Sequence, residues 1–353
     1  MTRRQTLGAP LAAAALATSP LASTPLPAAP SRVLKNLGTA SPGLGARIRH
    51  EGDKWDIVEY CREKGLGAPH IYFPLDQDAA KTAKIRKQLN DYDMRAVFLV
   101  RTPRTKEDLP KYEAALKAIA SMDGRAACVH DPFSGRRYEQ FKTAAEFHQF
   151  FAQCKAGVQL AEPLLRKYKL PLAIENHKGW RSAELVDWVK ATGSEYVGVC
   201  LDLVNNVSMI ETPEQTIDAL MPYTIYVSFK DIGVDFYDQG ILLSEVPFGD
   251  GHLDLKAIVA RGQKKDPNMI FQIEMLTRDP LEVPVFTEQY WKVWDDKSPV
   301  PAQDLAMLVH YIRTHPPKKP LPRISGLTPA QRLALEDQFN QQCIDYARAH
   351  LPF

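Results

Sequence analysis

Neither sign of charge dominates this chain: 44 Lys and Arg stand against 42 Asp and Glu, for a net charge of +2. Nucleic-acid proteins normally carry a basic excess or stripe, and membrane-surface proteins a polybasic segment, so the balance argues against both. No apolar run reaches the roughly 18 residues that a membrane-spanning helix needs. The five cysteines, Cys61, Cys128, Cys154, Cys200 and Cys343, are widely spaced and form no C-x-x-C. That argues against a zinc ribbon and for buried, reduced thiols, with an odd one left over within the chain. No G-x-G-x-x-G follows the first apolar run, which weakens a dinucleotide-binding reading. What remains is ordinary: 353 residues, 45% hydrophobic and 24% charged, enough for one large domain or two smaller ones.

The first thirty residues read as an address. Arg3-Arg4 precede an alanine- and leucine-rich stretch, Leu7 to Ala17, and small residues and prolines follow. Thr2-Arg3-Arg4-Gln5-Thr6-Leu7 resembles the twin-arginine export motif, with cleavage points after Ala17 or near Ala28-Ala29. A periplasmic or secreted bacterial protein is the expectation. The domain reading is an export signal over 1–30, a linker over 31–43, a barrel over 44–315, and a linker with a C-terminal helix over 316–353.

From residue 44 onward, short apolar runs alternate with longer amphipathic stretches. Strands are expected at Leu44–Arg49, His70–Phe73, Arg95–Val100, Ala126–Val129, Pro171–Ile174, Val197–Leu201, Ile225–Val227 and Met269–Ile273. Helices are expected between them, at Lys54–Lys64, Ala79–Asp91, Leu109–Ser121, Thr143–Tyr168, Ser182–Thr192, Pro213–Met221, Leu253–Gln263 and Ala302–Thr314. Residues 232–251 read as an irregular insertion. A last helix, Thr328–His350, has Thr328 placed to cap it and Pro329 at its first position. Strand–helix units in this number, over about 270 residues, are the arithmetic of a (β/α)8 TIM barrel with an extra C-terminal helix. The near-continuous apolar runs suit a parallel sheet covered on both faces.

Three later strands run into an acid: Leu172-Ala173-Ile174 into Glu175, Val197–Leu201 into Asp202, and Met269–Ile273 into Glu274. In a barrel these acids meet at the C-terminal rim, where active sites of the fold lie. Converging carboxylates repel unless some are protonated or a cation sits among them. Oxygen ligands suit Mn²⁺ or Mg²⁺, and added imidazole widens the choice to Co²⁺, Fe²⁺ or Zn²⁺. His177, just past the fifth strand, and Lys230-Asp231, past the seventh, belong on the same rim.

At these residues the chain resembles the sugar phosphate isomerase/epimerase family, the xylose-isomerase-like barrels, over roughly residues 44–315. The resemblance is carried by Leu172–Trp180 (LAIENHKGW), Gly198–Asn206 (GVCLDLVNN), Val227–Asp231 (VSFKD), Val246–Leu255 (VPFGDGHLDL) and Gln272–Met275 (QIEM). Gly135–Glu139 resembles a segment of the branch with the E-N-H-K motif. The resemblance implies one divalent metal ion held by Glu175, Asp202 and Glu274, with a histidine of strand seven as fourth ligand. Here Ser228 stands in that place. A hydroxyl is a poor ligand beside imidazole. Either affinity drops, or a water or a nearby His177 or His130 fills the gap, or the metal is lost.

The resemblance further implies Glu175 and Glu274 as an acid/base pair that moves a proton α to a carbonyl. Lys230 would face the developing oxyanion and His177 would move a proton or bind a hydroxyl. Arg136, Asn205, Asp231 and His130 are the candidate substrate contacts. Reprotonation gives isomerisation or epimerisation, and loss of a β-leaving group gives a lyase or dehydratase reaction. The partner is a small sugar-like molecule, with no nucleic acid, no membrane after export, and homo-oligomerisation left open. A barrel that binds sugar without turning it over is the alternative. An endonuclease-like relative is disfavoured by nine His spread along the chain and by the balanced charge.

Overall fold

The computed structural model describes residues 32–133 and 135–353, so the export signal read at 1–30 lies outside the described residues. The described strands in chain order are β1 (Leu37–Thr39), β2 (His70–Tyr72), β3 (Ala96–Leu99), β4 (Ala126–Asp131), β5 (Leu172–Glu175), β6 (Val197–Asp202), β7 (Thr224–Phe229), β8 (Asp231–Tyr237), β9 (Gly240–Val246), β10 (Ile270–Ile273) and β11 (Leu281–Val283). Eight of them form one parallel sheet in the order β1-β10-β7-β6-β5-β4-β3-β2. The ring closes between β1 and β2 through parallel bridges at Leu34–Leu66 and Ala40–His70 and a bond from Gly67 N to Leu37 O of 3.0 Å. The fold is a TIM barrel wrapped in helices, with a further helix at its C-terminus.

Alternation along each strand sorts the side chains into two layers. Ala68, Val97, Cys128, Ala173, Cys200, Tyr226 and Ile270 form a small core inside the barrel. Their neighbours along the strands, such as Phe98, Val129, Leu172, Val199, Val227 and Phe271, face outward into the large core shared with the helices. The small inner residues leave room only because the ring is tight. A Cβ at Gly38 would come within 1.4 Å of Ala68 O, so β1 needs glycine there to let Gln272 Nε2 reach Ala68 O at 2.8 Å. One step further along, the same inward phase brings up His70, His130, Glu175, Asp202 and Ser228, and a second step brings up Lys230 and Glu274. Periodicity of two therefore places the chemistry on the floor of the C-terminal mouth.

Two expectations need correction. The segment Leu44–Arg49 is not a strand: Gly45–Glu51 is a helix, and the first strand lies earlier, in residues read as linker. A three-residue strand flanked by polar turns is too short to show a period, whereas Leu44 and Ile48 recur at helical spacing. Residues 232–251 are not irregular. β8 and β9 make an antiparallel hairpin across Asp238-Gln239, and β11 adds a third strand. Ile232 and Val234 on one strand, and Ile241 and Leu243 on the other, alternate into the core. The C-terminal helix runs over Pro329–His350. It lies along the outer wall, with Glu336 accepting from Ala46 N and Arg47 N at 2.8 and 2.9 Å and Phe353 against Phe271 and Phe229. Thr328 caps it, as its spacing to Gln331 requires. All five cysteines are buried and free.

Candidate active site

Glu175 and Asp202 close the neighbouring strands β5 and β6, Glu274 follows β10 on the far side of β7, and one carboxylate oxygen of each lies within 4.8 Å of the others. The strand ends are pinned by Asn176, whose Oδ1 accepts from Asp202 N at 2.7 Å and whose Nδ2 donates to Asp202 O at 2.8 Å. Trp180 Nε1 donates to Glu175 O at 2.9 Å and fixes the loop that follows β5. Ladder partners Asp202–Ser228 and Ser228–Gln272 set the register that brings the acids level.

The two glutamates have different neighbours. Glu175 Oε1 accepts from Asn205 Nδ2 at 3.1 Å, and its Oε2 lies 3.0 Å from His130 Nε2. His130 Nδ1 is in turn 3.1 Å from His70 Nε2. With Glu175 ionised, the tautomers follow: His130 Nε2–H donates to Glu175 and His70 Nε2–H donates to His130. His70 Nδ1 is then a bare acceptor, and it has no partner. Burial, and then His130, pushes the His70 imidazole down to about 3, so it stays neutral.

Glu274 faces cations and hydroxyls instead. Ser228 Oγ donates to its Oε2 at 2.7 Å, and Lys230 Nζ lies 2.9 Å from the same oxygen. Lys230 Nζ also lies 2.7 Å from Asp202 Oδ2. Burial alone would push the Lys230 ammonium down, but Asp202 and Glu274 outweigh it and hold it well above the ordinary lysine range.

Burial beside like charges acts to raise a carboxylate towards neutrality. Desolvation does act that way, yet both stand below the ordinary range. His177 and His130 pull Glu175 down to about 2, and Lys230 with Ser228 lowers Glu274. Both begin as carboxylates, which is the form a base needs.

A cavity of about 520 Å³ opens on this cluster. His130, Arg136, Glu175, His177, Ser228, Lys230 and Glu274 line it. Arg136 Nη1 is 2.7 Å from Glu139 Oε1, so its charge is already shared. Asp202 does not reach the wall; it is fully buried beneath Lys230. Two candidate substrate contacts are elsewhere. Asn205 is fully buried and holds Glu175 and the Lys178 ammonium. Asp231 points to the other side of its strand, out of phase with Lys230. Its carboxylate accepts from the backbone N–H groups of Ile232, Gly249, Gly251 and Leu253 at 3.0, 3.0, 3.1 and 3.3 Å. A Cβ at Gly251 would come within 1.9 Å of Asp231 Oδ1, so that loop closes only around glycine.

Asp202 Oδ2 makes no hydrogen bond, and its contact is the ionic one with Lys230. That bare oxygen and the two glutamates suit a hard cation. Ser228 supplies no imidazole, and the Lys230 ammonium already stands against two of the three acids.

The sequence matches the family described as Xylose isomerase-like TIM barrel over residues 53–292. The chain belongs to that family. A search of curated proteins finds no match. Solved structures similar to this barrel include a D-tagatose 3-epimerase-like protein, at 11% identity and a TM-score of 0.51, covering 79% of this chain and 98% of that one. A second, titled the probable 3-DHS dehydratase AsbF involved in petrobactin synthesis from Bacillus anthracis, gives 14%, 0.51, 69% and 93%. A third, the IOLI protein with a binding zinc atom, gives 11%, 0.50, 78% and 97%. At such identities they establish the shared fold.

This xylose isomerase-like barrel also brings residues into the cavity that were not singled out in sequence. Lys178 stood in view as the last residue of E-N-H-K; burial, and then Lys230, pushes its ammonium down to about 8. Arg278 lines the cavity and is paired with Glu245 of the hairpin at 2.8 Å. His70 and Tyr226 line it too. His70 opens a short strand without an apolar run, and Arg278 follows the last barrel strand in a loop. Neither position carries a local signal.

Proposed function

We propose that the protein is an enolising enzyme of the isomerase/epimerase type, acting on a sugar or keto-sugar. The observation that carries this reading is a pair of ionised glutamates, Glu175 and Glu274, in one cavity with the Lys230 ammonium between Glu274 and Asp202. One carboxylate takes the proton α to a carbonyl, and the C–H electron pair moves onto the carbonyl oxygen. Lys230 faces the negative charge that develops there. His130 and Asn205 hold the Glu175 carboxylate in one orientation, and Ser228 does the same for Glu274. His177 moves a proton or binds a hydroxyl, and Arg136 contacts the polar rim of the substrate.

The proton returns to the neighbouring carbon in isomerisation and to the opposite face in epimerisation. A leaving group on the β-carbon would instead depart, giving a lyase or dehydratase. The resting ionisation favours outcomes that begin with abstraction and return the proton from the same carboxylate. Export through a twin-arginine route supports unphosphorylated sugars or keto-glycosides as substrates in the periplasm or outside the cell.

Incubation with ketohexoses and keto-glycosides in D2O, followed by proton NMR, tests the reading. Deuterium entering the carbon next to the carbonyl is expected, and Glu175→Gln should lose more of it than Glu274→Gln. Exchange on phosphorylated sugars alone would refute the substrate assignment. No exchange on any carbonyl sugar would leave a binding barrel.

A further inference from the structure

We infer that Lys230 is the resident cation of the carboxylate cluster: its ammonium occupies the place a divalent ion would take, and the site binds such ions weakly. This concerns the same cavity but does not depend on which sugar is turned over, because its test reads metal affinity.

The ammonium bridges Asp202 Oδ2 at 2.7 Å and Glu274 Oε2 at 2.9 Å, with Lys230 2% exposed. Lys230 lines the cavity and Asp202 does not, so the Asp202 carboxylate stands behind the lining. Every other oxygen that an ion would need has a partner from the chain, apart from Glu274 Oε1. Asp202 Oδ1 accepts from Val204 N and Asn205 N at 3.0 and 2.9 Å. Glu175 is taken by Asn205 and His130, and Glu274 Oε2 by Ser228 as well as Lys230.

An incoming ion must therefore break a buried pair of contacts and push the ammonium aside. If the ammonium stayed, two like charges would stand within a few ångströms in a poorly screened interior. Retreat is hindered as well, because a second buried ammonium, Lys178, lies near enough to repel it. Ser228 completes the arrangement: its hydroxyl donates to Glu274, whereas an imidazole there would offer a lone pair to a metal. The exchange of ligand for donor and the presence of a lysine cation point the same way. The charge that stabilises the carboxylates comes from the chain.

The test is calorimetric titration of chelator-treated full-length protein with MnCl2 and ZnCl2, for wild type, Lys230→Met, Ser228→His and the double variant. Lys230→Met should bind at least about tenfold more tightly than wild type, equivalent to one decade in Kd. Ser228→His alone should gain less, and the double variant most. Wild type binding one equivalent as tightly as Lys230→Met overturns the inference. Thermal unfolding keeps the answer available if Lys230→Met is poorly folded. Millimolar Mn²⁺ should leave wild type within about 2 °C of its metal-free midpoint, because a ligand that does not bind the native state does not stabilise it. A larger rise overturns the inference; an unmoved wild-type midpoint supports it.

Discussion

The two sides of the cavity solve one problem in different ways. On the β4–β5 side, Glu175 is held by Asn205 on one oxygen and by His130, itself 3.1 Å from His70, on the other. On the β7–β10 side, Glu274 and Asp202 share an ammonium, and a serine completes Glu274. Both arrangements keep a buried carboxylate ionised. The first orients it by hydrogen bonds whose protons can shift along two imidazoles. The second holds it by a fixed charge that cannot be given up cheaply, since burial pairs it with two acids. On the proposed reading, the Glu175 side exchanges a proton and the Lys230 side stabilises charge.

Removing either base gives the largest expected effect. Glu175→Gln and Glu274→Gln keep shape and lose the proton acceptor, so turnover should fall by about a hundredfold to ten-thousandfold. Solvent deuterium exchange on the sugar identified in the screen checks this. If the two sides differ as argued, Glu175→Gln loses more exchange than Glu274→Gln; equal losses would place both in the same role.

Lys230→Met comes next. It should cost turnover by about a hundredfold to a thousandfold, as loss of a group facing an oxyanion does. It also leaves buried acids without their cation, a destabilisation of about 3–5 kcal/mol that urea unfolding would measure. His130→Asn, by contrast, keeps a hydrogen-bond donor beside Glu175 and should lower stability less, which sharpens the distinction between the sides.

A pH experiment separates the second lysine. Lys178 is pushed down to about 8, chiefly by burial. Between there and its ordinary value of about 10.4, the unfolded chain binds more protons than the folded one, so stability rises with pH in that window. Urea unfolding at about pH 7.5 and 9.5 should show wild type gaining about 2 kcal/mol relative to Lys178→Met. A gain of the opposite sign, or none, would mean that Lys178 is charged in the fold like Lys230.

Much of the barrel was legible because its signals are local. Apolar runs ending in Glu175, Asp202 and Glu274 announce strands and their mouths at once, and helices such as Ala79–Asp91, Ser182–Thr192 and Ala302–Thr314 fall where their periodicity puts them. The hairpin β8–β9 was missed although Ile232, Val234, Ile241 and Leu243 alternate. Its turn residues, Asp238-Gln239, lack the Asn-Gly or Asp-Gly signature that marks a tight hairpin. β1 was missed because three residues cannot show a period. Within the site, the rim acids were readable, and so was the departure at Ser228. What sequence could not show is phase and partnership. Lys230 and Asp231 are adjacent, yet only the inward phase of β7 puts the ammonium among the acids. That His70 meets His130 depends on β2, β3 and β4 lying side by side, a contact across 60 positions.

The smallest effect on turnover tests that phase directly. Asp231 neighbours Lys230 in sequence, and its carboxylate is spent on four backbone N–H groups of the strand and the loop after β9. Asp231→Asn keeps one acceptor oxygen and loses the charge that strengthens those bonds, so stability should drop by about 1–3 kcal/mol. Turnover at a temperature where the variant is folded should stay within about twofold of wild type, because the residue shares no partner with the catalytic groups. A large loss of turnover with unchanged stability would move Asp231 into the cavity and make the β7 side a two-residue contact with substrate. Loss of stability alone would confirm that strand alternation, and not proximity in sequence, decides which of the two neighbours does the chemistry.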